Sequence, residues 1–285
     1  MAGTLYVVAT PIGNLEDITA RALRILREVS LIAAEDTRRT AHLLAHFGIG
    51  TRMVSLREHN ERRQAPVLVQ RLEAGESIAL VSDAGTPTIS DPGSHLVQSA
   101  IERGIRIEPI PGPNAAIAAL SAAGVSSDRF AFLGFPPIKS RERRAWFDDL
   151  RKSGPLVVFY EAPHRILRTL TDLMAAVGDI QVLIARELTK SHEELVRGPI
   201  SSVLSGDLKE RGEFTVVASV GPMTNIDDGD PCDPTRLEGI SEAFVQMTEI
   251  DGFGRRAAIS ALARKYKLPA REVYRAVERH KISGG

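Results

Sequence analysis

The residues with chemical capacity gather in four loop-like stretches. "ATPIGNLEDIT" (9–19), "AEDTRRT" (34–40), "VSDAGTPTISDPG" (81–93) and "FYEAPHR" (159–165) mix Gly, Pro and Thr with Glu35, Asp36, Asp83, Glu161 and His164. A turn built of Gly, Pro and Thr holds backbone N–H and C=O groups in fixed directions. That suits a neutral or zwitterionic ligand read by main chain. The acids and His164 are candidates for taking a proton from a reacting hydroxyl. Each has a structural role open to it as well. Asp17 can cap a helix, Glu35, Asp36 and Arg38 can form a local ion pair, and His164 can sit on the surface at a helix start. Neither G-x-G-x-x-G nor G-x-x-x-x-G-K-[ST] occurs, so no dinucleotide or P-loop phosphate site is indicated. No cluster of metal ligands is visible.

These loops need elements to hold them. "LYVVAT" (5–10), "SLIAAE" (30–35), "RMVSL" (52–56), "SIALVS" (77–82) and "IRIEPI" (105–110) read as strands. Helical patterns separate them, with Ile18, Ala22, Ile25, Leu26 and Val29 on one face. Near-continuous apolar strands alternating with helices predict a mostly parallel sheet covered on both faces. A second α/β section, residues 113–222, carries strand candidates at 129–135, 155–162, 180–189, 193–198 and 212–221. The last three follow one another with little helix between, which predicts a mixed sheet. The boundaries read as 1–112, 113–222, a linker at 223–236 rich in Asp, Pro and Gly, and a helical tail at 237–285. In an open α/β sheet, ligands bind beyond the carboxyl ends of the strands, and all four loops fall there.

Bulk composition names no partner: Lys+Arg and Asp+Glu balance at 36 each. Charge is local instead. Between residues 254 and 281, nine Lys and Arg, among them Arg255, Arg256, Arg264, Lys265, Lys267 and Arg271, stand against Glu272 and Glu278. This is the footprint of phosphate contacts on a helix–turn–helix-like tail. "KSRERRAW" (139–146) is a second basic stretch, with Trp146 as a possible stacking surface. The single cysteine, Cys232, excludes an intramolecular disulfide and fits a reducing compartment. No signal peptide or membrane span is expected, and a cytoplasmic location is.

"LYVVATPIGNLEDIT", "AAEDTRRT", "LVSDAGTPTISDPG", "PIPGPNAAIAALSAAG" and "VFYEAPHRI" occur in an order and spacing that resembles the rRNA small-subunit methyltransferase I family, in the tetrapyrrole (corrin/porphyrin) methylase superfamily. The resemblance covers residues 4–221 and, weakly, the tail. "DAGTPTISDPG" replaces the Gly-Asp-Pro loop of the tetrapyrrole enzymes, which points to the RNA branch. The resemblance implies S-adenosyl-L-methionine held in a cleft between two α/β domains of a homodimer. It also implies 2′-O-methylation of a cytidine ribose in the decoding region of 16S rRNA. Mapped here, the cofactor lies against Thr10, Pro11, Asp83, Ala84, Gly85, Thr86, Pro87, Asn114, Ala115, Tyr160, Glu161, Ala162, Thr215 and Ala218. Glu161 and Asp36 are the favoured proton acceptors, and no metal is needed. Two rivals are a methylase of tetrapyrrole precursors and a non-catalytic RNA-binding protein with a relic cleft.

Overall fold

The computed structural model describes residues 2–221, 240, 243–250, 253–266, 270, 273, 274 and 277. It divides into two compact units, Met1–Met223 and Thr224–Gly285. The linker at 223–236, Lys267 and Arg271 lie outside the described residues, as do the side chains of Arg264 and Lys265.

In the first unit, β1 (Thr4–Val8), β2 (Leu31–Ala34), β3 (Met53–Ser55), β4 (Ile78–Val81) and β5 (Arg106–Ile110) form one sheet in the order β3-β2-β4-β1-β5. Every pairing in it is parallel, so all five carboxyl ends share one edge. Strands β2 and β4 are buried at every position, as "LIAA" and "IALV" predict. Each Leu or Ile so buried contributes about 1.5–3 kcal/mol. Helix α1 (Ala20–Glu28) turns Ala22, Ile25 and Leu26 onto this sheet. Its cap is Thr19, whose side chain accepts from the Ala22 amide. Asp17 instead ends a short 3-10 turn.

The second sheet runs β6-β7-β10-β8-β9, with β6 (Ala131–Phe132), β7 (Leu156–Glu161), β8 (Gln181–Arg186), β9 (Glu194–Pro199) and β10 (Phe214–Ser219). Only β6 and β7 are parallel; the other pairings are antiparallel, giving the expected mixed sheet. The apolar run at 129–135 contracts to two paired residues. Gly134 turns the chain at φ +62°, and Pro136 and Pro137 have no N–H to offer a ladder. Helix α5 (Ala115–Ser121) packs Ala116, Ala119 and Leu120 against Leu156, Val158 and Val217 of this sheet.

In the second unit, Ile240, Phe244, Ala258, Leu262, Val273 and Val277 share a small core. Helix α9 (Arg255–Tyr266) carries two of them. Arg255 and Arg256 are exposed, and the Arg255 guanidinium lies 5.7 Å from the centre of the Tyr274 ring. Among the described residues no helix is long and apolar enough to cross a membrane.

Candidate functional site

Two loops of the first sheet are joined into one rigid wall. Thr10 and Gly85 exchange both backbone hydrogen bonds, at 2.9 and 3.0 Å, just past the ends of β1 and β4. The Thr86 hydroxyl donates to the Pro113 carbonyl at 3.2 Å, which ties in the loop after β5. At the far end, buried Glu61 accepts from the amides of Gly93, His95 and Leu96 through one carboxylate oxygen. A negative group there suits the first turn of α4 (Ser94–Glu102). Gly93 has φ +123°, and a Cβ there would meet Leu80 at 2.6 Å. Thr88 and Ser90 also have positive φ without being glycine. Such residues cost about 1–3 kcal/mol each and persist only where surroundings over-determine them.

The opposite wall comes from the second sheet. Because β7 and β10 are antiparallel, the end of β7 lies beside the start of β10, pairing Glu161 with Phe214 and Tyr160 with Thr215. Between the walls lies a cavity of about 370 Å³. That is within the range of small-ligand sites, about 300–1,000 Å³. From the expected set, Ala84, Gly85, Thr86, Asn114, Ala115, Tyr160, Glu161, Ala162 and Thr215 border it. Thr10, Pro11, Asp83 and Pro87 do not, although Thr10 is hydrogen-bonded to the lining residue Gly85. Ala218 does not border the cavity either. Strand alternation turns it to the other face, among Phe159, Val216 and Leu170.

Eight lining residues escaped the sequence reading: Ile12, Ile89, Ser90, Asp91, Phe135, Pro163, Glu213 and Phe214. Asp91 stands inside a loop already suspected, and Phe135 stands at a strand end. Both signals were present, but neither tells which way a side chain points. Burial first, and then the charge of Glu35, push the Asp91 carboxyl up to about 6, against a hydrogen bond from Ser82. The cavity is thus apolar over Ile12, Ile89, Phe135 and Tyr160, and carries a carboxylate in its wall.

Neither favoured acid is free. The Asp36 side chain caps α2 (Thr37–His46), accepting from the Arg38 amide at 2.8 Å. Hydrogen bonds from Arg38 hold its carboxyl well below the usual carboxylate range. The Asp36 amide in turn donates to Asp83, and the Asp83 amide donates to Glu35. Burial raises the Glu35 carboxyl. Glu161 borders the cavity, yet its side chain is 0% exposed. One oxygen accepts from the Ala162 amide at 2.8 Å and faces Arg165 at 3.2 Å; the other accepts from Thr169 and lies 4.0 Å from Arg143. His164 is exposed on the turn that follows. Trp146 is half-buried, its ring near-perpendicular to those of Phe147 and Phe159.

Comparison with known proteins agrees with this geometry. The family model of the tetrapyrrole (corrin/porphyrin) methylases matches residues 4–204. A ribosomal RNA small subunit methyltransferase I of Halalkalibacterium halodurans is 43% identical over 277 residues, covering 95% of this chain and 93% of the relative. Its namesake in Pseudomonas aeruginosa is 50% identical over 223 residues, 76% of this chain and 79% of the relative. Among solved structures, a uroporphyrin-III C-methyltransferase from Thermus thermophilus, complexed with S-adenosyl homocysteine, superposes with TM-score 0.56 at 18% identity. The match covers 76% of this chain and 97% of that one. A diphthine synthase does so with TM-score 0.60 at 16% identity, over 76% and 90%. Two sheets joined at a strand-end cavity and relatives near half identical lead to one conclusion: the chain belongs to the ribosomal RNA small subunit methyltransferase I family of the tetrapyrrole methylases.

Proposed function

We propose that this chain methylates the 2′-hydroxyl of a cytidine ribose in the decoding region of 16S rRNA, with S-adenosyl-L-methionine bound in the cavity between the two sheets. The observation that carries the reading is the cavity itself: apolar walls, a main-chain loop tied at both ends, and a carboxylate, Asp91, with no arginine against it among its named partners. When bound, S-adenosylmethionine supplies a methyl carbon attached to a cationic sulfonium. The residues present fit it. Gly85 sits on the wall at φ +78°, where the backbone comes close to the cavity without a side chain. Ile12, Ile89 and Tyr160 give flat apolar surface, and Asp91 offers an anion to a cationic ligand. The relatives' name, ribosomal RNA small subunit methyltransferase I, supports RNA over a tetrapyrrole as substrate. The structural likeness to a porphyrin enzyme, at 18% identity, speaks for the fold alone.

The chain's part in the reaction is mainly to hold and exclude. A loop tied at both ends orders little on binding, so little entropy is lost. Correct placement of two reacting groups can lower a barrier by up to about 7–11 kcal/mol. Asp36 and Glu161 are not retained as proton acceptors, because each is already bonded to arginine. The tail's basic residues, Arg255 and Arg256 among them, are assigned to rRNA phosphates, and two copies of the chain to a homodimer in the cytoplasm. Calorimetry with S-adenosylmethionine, followed by methylation of small subunits from cells lacking this protein and mass mapping of the product, tests the reading. Micromolar cofactor binding and one 2′-O-methylcytidine are expected. Methylation on a base, or on a porphyrinoid alone, would overturn it.

A further inference from the structure

Phe135 is the aromatic side chain most open to solvent at the cavity, with 54% of its surface exposed. It leans on Tyr160, ring centres 5.5 Å apart. Its loop is not loose. Gly134 accepts from the Tyr160 amide at 2.8 Å. Arg165 donates to the Pro136 carbonyl and Arg143 to the Pro137 carbonyl. Both arginines are in turn held by Glu161, and Arg143 also by Thr169 and Asp172. Buried Glu161 therefore clamps, through two arginines, the loop that presents Phe135. The same loop leads through Ile138, 82% exposed, into α6 (Ser140–Asp148). On that helix Arg143 and Phe147 turn inward, while Arg141 and Arg144, three residues apart, face solvent. Lys139 at its start is exposed as well.

An exposed ring at the mouth of the cavity, on a loop that leads into a helix bearing two exposed arginines, has the elements of a single-stranded RNA site. Bases stack on aromatic faces and phosphates meet arginines. A ribose cannot reach a recessed site while its base is stacked in a helix, so the base must find a surface outside. We propose that Phe135 is the stacking surface for the target nucleobase and that Arg141 and Arg144 hold the neighbouring phosphates. The proposal rests on the reading that the chain methylates RNA at this cavity. Glu161, Arg143 and Arg165 are then positioning residues for Phe135.

The test compares wild type with Phe135→Ala, Phe135→Tyr and the double variant Arg141→Ala/Arg144→Ala. Affinity for a cytidine-containing single-stranded oligoribonucleotide is measured at several salt concentrations, and S-adenosylmethionine affinity by calorimetry. Phe135→Ala is expected to lose roughly 5- to 150-fold in RNA affinity. The loss on the cofactor is expected to be at least fivefold smaller, and Phe135→Tyr to recover most of the RNA affinity. The arginine pair is expected to flatten the log–log salt slope by about 1.4. Equal losses on RNA and cofactor would overturn the proposal, since Phe135 would then be only a wall of the cofactor site. Unchanged RNA affinity in Phe135→Ala, or parallel salt lines, would overturn it too. Should Phe135→Ala lose RNA binding while wild type methylates no rRNA, the stacking surface stands and the parent reading falls.

Discussion

Two of the carboxylates that border the cavity have opposite surroundings. Glu161, at the end of β7, is enclosed by Arg143, Arg165, Thr169 and a backbone amide. Asp91, in the loop after β4, has a serine hydroxyl for support and the charges of Glu35 and Asp83 against it. The first has a partner at each oxygen; the second is held at a cost. A buried acid with matched partners belongs to the framework. An acid kept near like charges beside a cavity matches the pattern of functional sites.

The sharpest way to break this contrast is to remove Glu161. Glu161→Ala leaves Arg165 without its carboxylate, buried Arg143 with the carboxylate of Asp172 alone, and Thr169 without its acceptor. Stability is expected to fall by about 3–5 kcal/mol in urea unfolding. Loss of methylation with an unchanged unfolding midpoint would return Glu161 to the chemistry. Asp91→Asn is expected to behave in the opposite way. Losing a charged hydrogen-bond partner worth about 1.5–3 kcal/mol should weaken S-adenosylmethionine binding by tenfold or more. The melting temperature should hold or rise, because a half-buried charge facing Glu35 and Asp83 disappears. A fall in both would place Asp91 in the framework beside Glu161.

The pH dependence sharpens the same point. An unfolded aspartate titrates near about 3.9, and Asp91 in the folded chain near about 6. Between those values the folded chain binds more protons, so Asp91's contribution to stability declines as pH rises through the window. Cofactor affinity should run the other way, weakening as pH drops below about 6 and Asp91 is neutralised. Calorimetry at pH 5 and pH 7 checks this, and the dependence should be absent in Asp91→Asn. The smallest effect is expected at Gly85. Alanine there meets Ile12 at 3.4 Å, an ordinary contact distance, so the cost is chiefly its φ of +78°. About 1–2 kcal/mol of stability should be lost, measured by thermal melting.

What the sequence determined by itself is local. Alternation and apolar runs located all ten strands of the first unit, because "IALV" or "LVVFYE" can be buried in few other ways. Gly, Pro and Thr at the strand ends marked the loops, because their backbone preferences act within a few residues. The five ordered motifs identified the family. Tertiary structure decided which side chain faces what. Asp91 and Glu161 are 70 residues apart in a chain that shows each only as an acid in a turn. Their roles depend on partners brought in from elsewhere: Arg143 from α6 and Thr169 from α7 (Ile166–Val177) for one, Glu35 from the end of β2 for the other. Trp146 and Phe135 make the same point. The tryptophan in the basic stretch packs half-buried against Phe147 and Phe159, and the phenylalanine ahead of it was left at the cavity mouth. Propensity acts along the chain, but burial and electrostatics act through space, and a carboxylate's availability is set by the second.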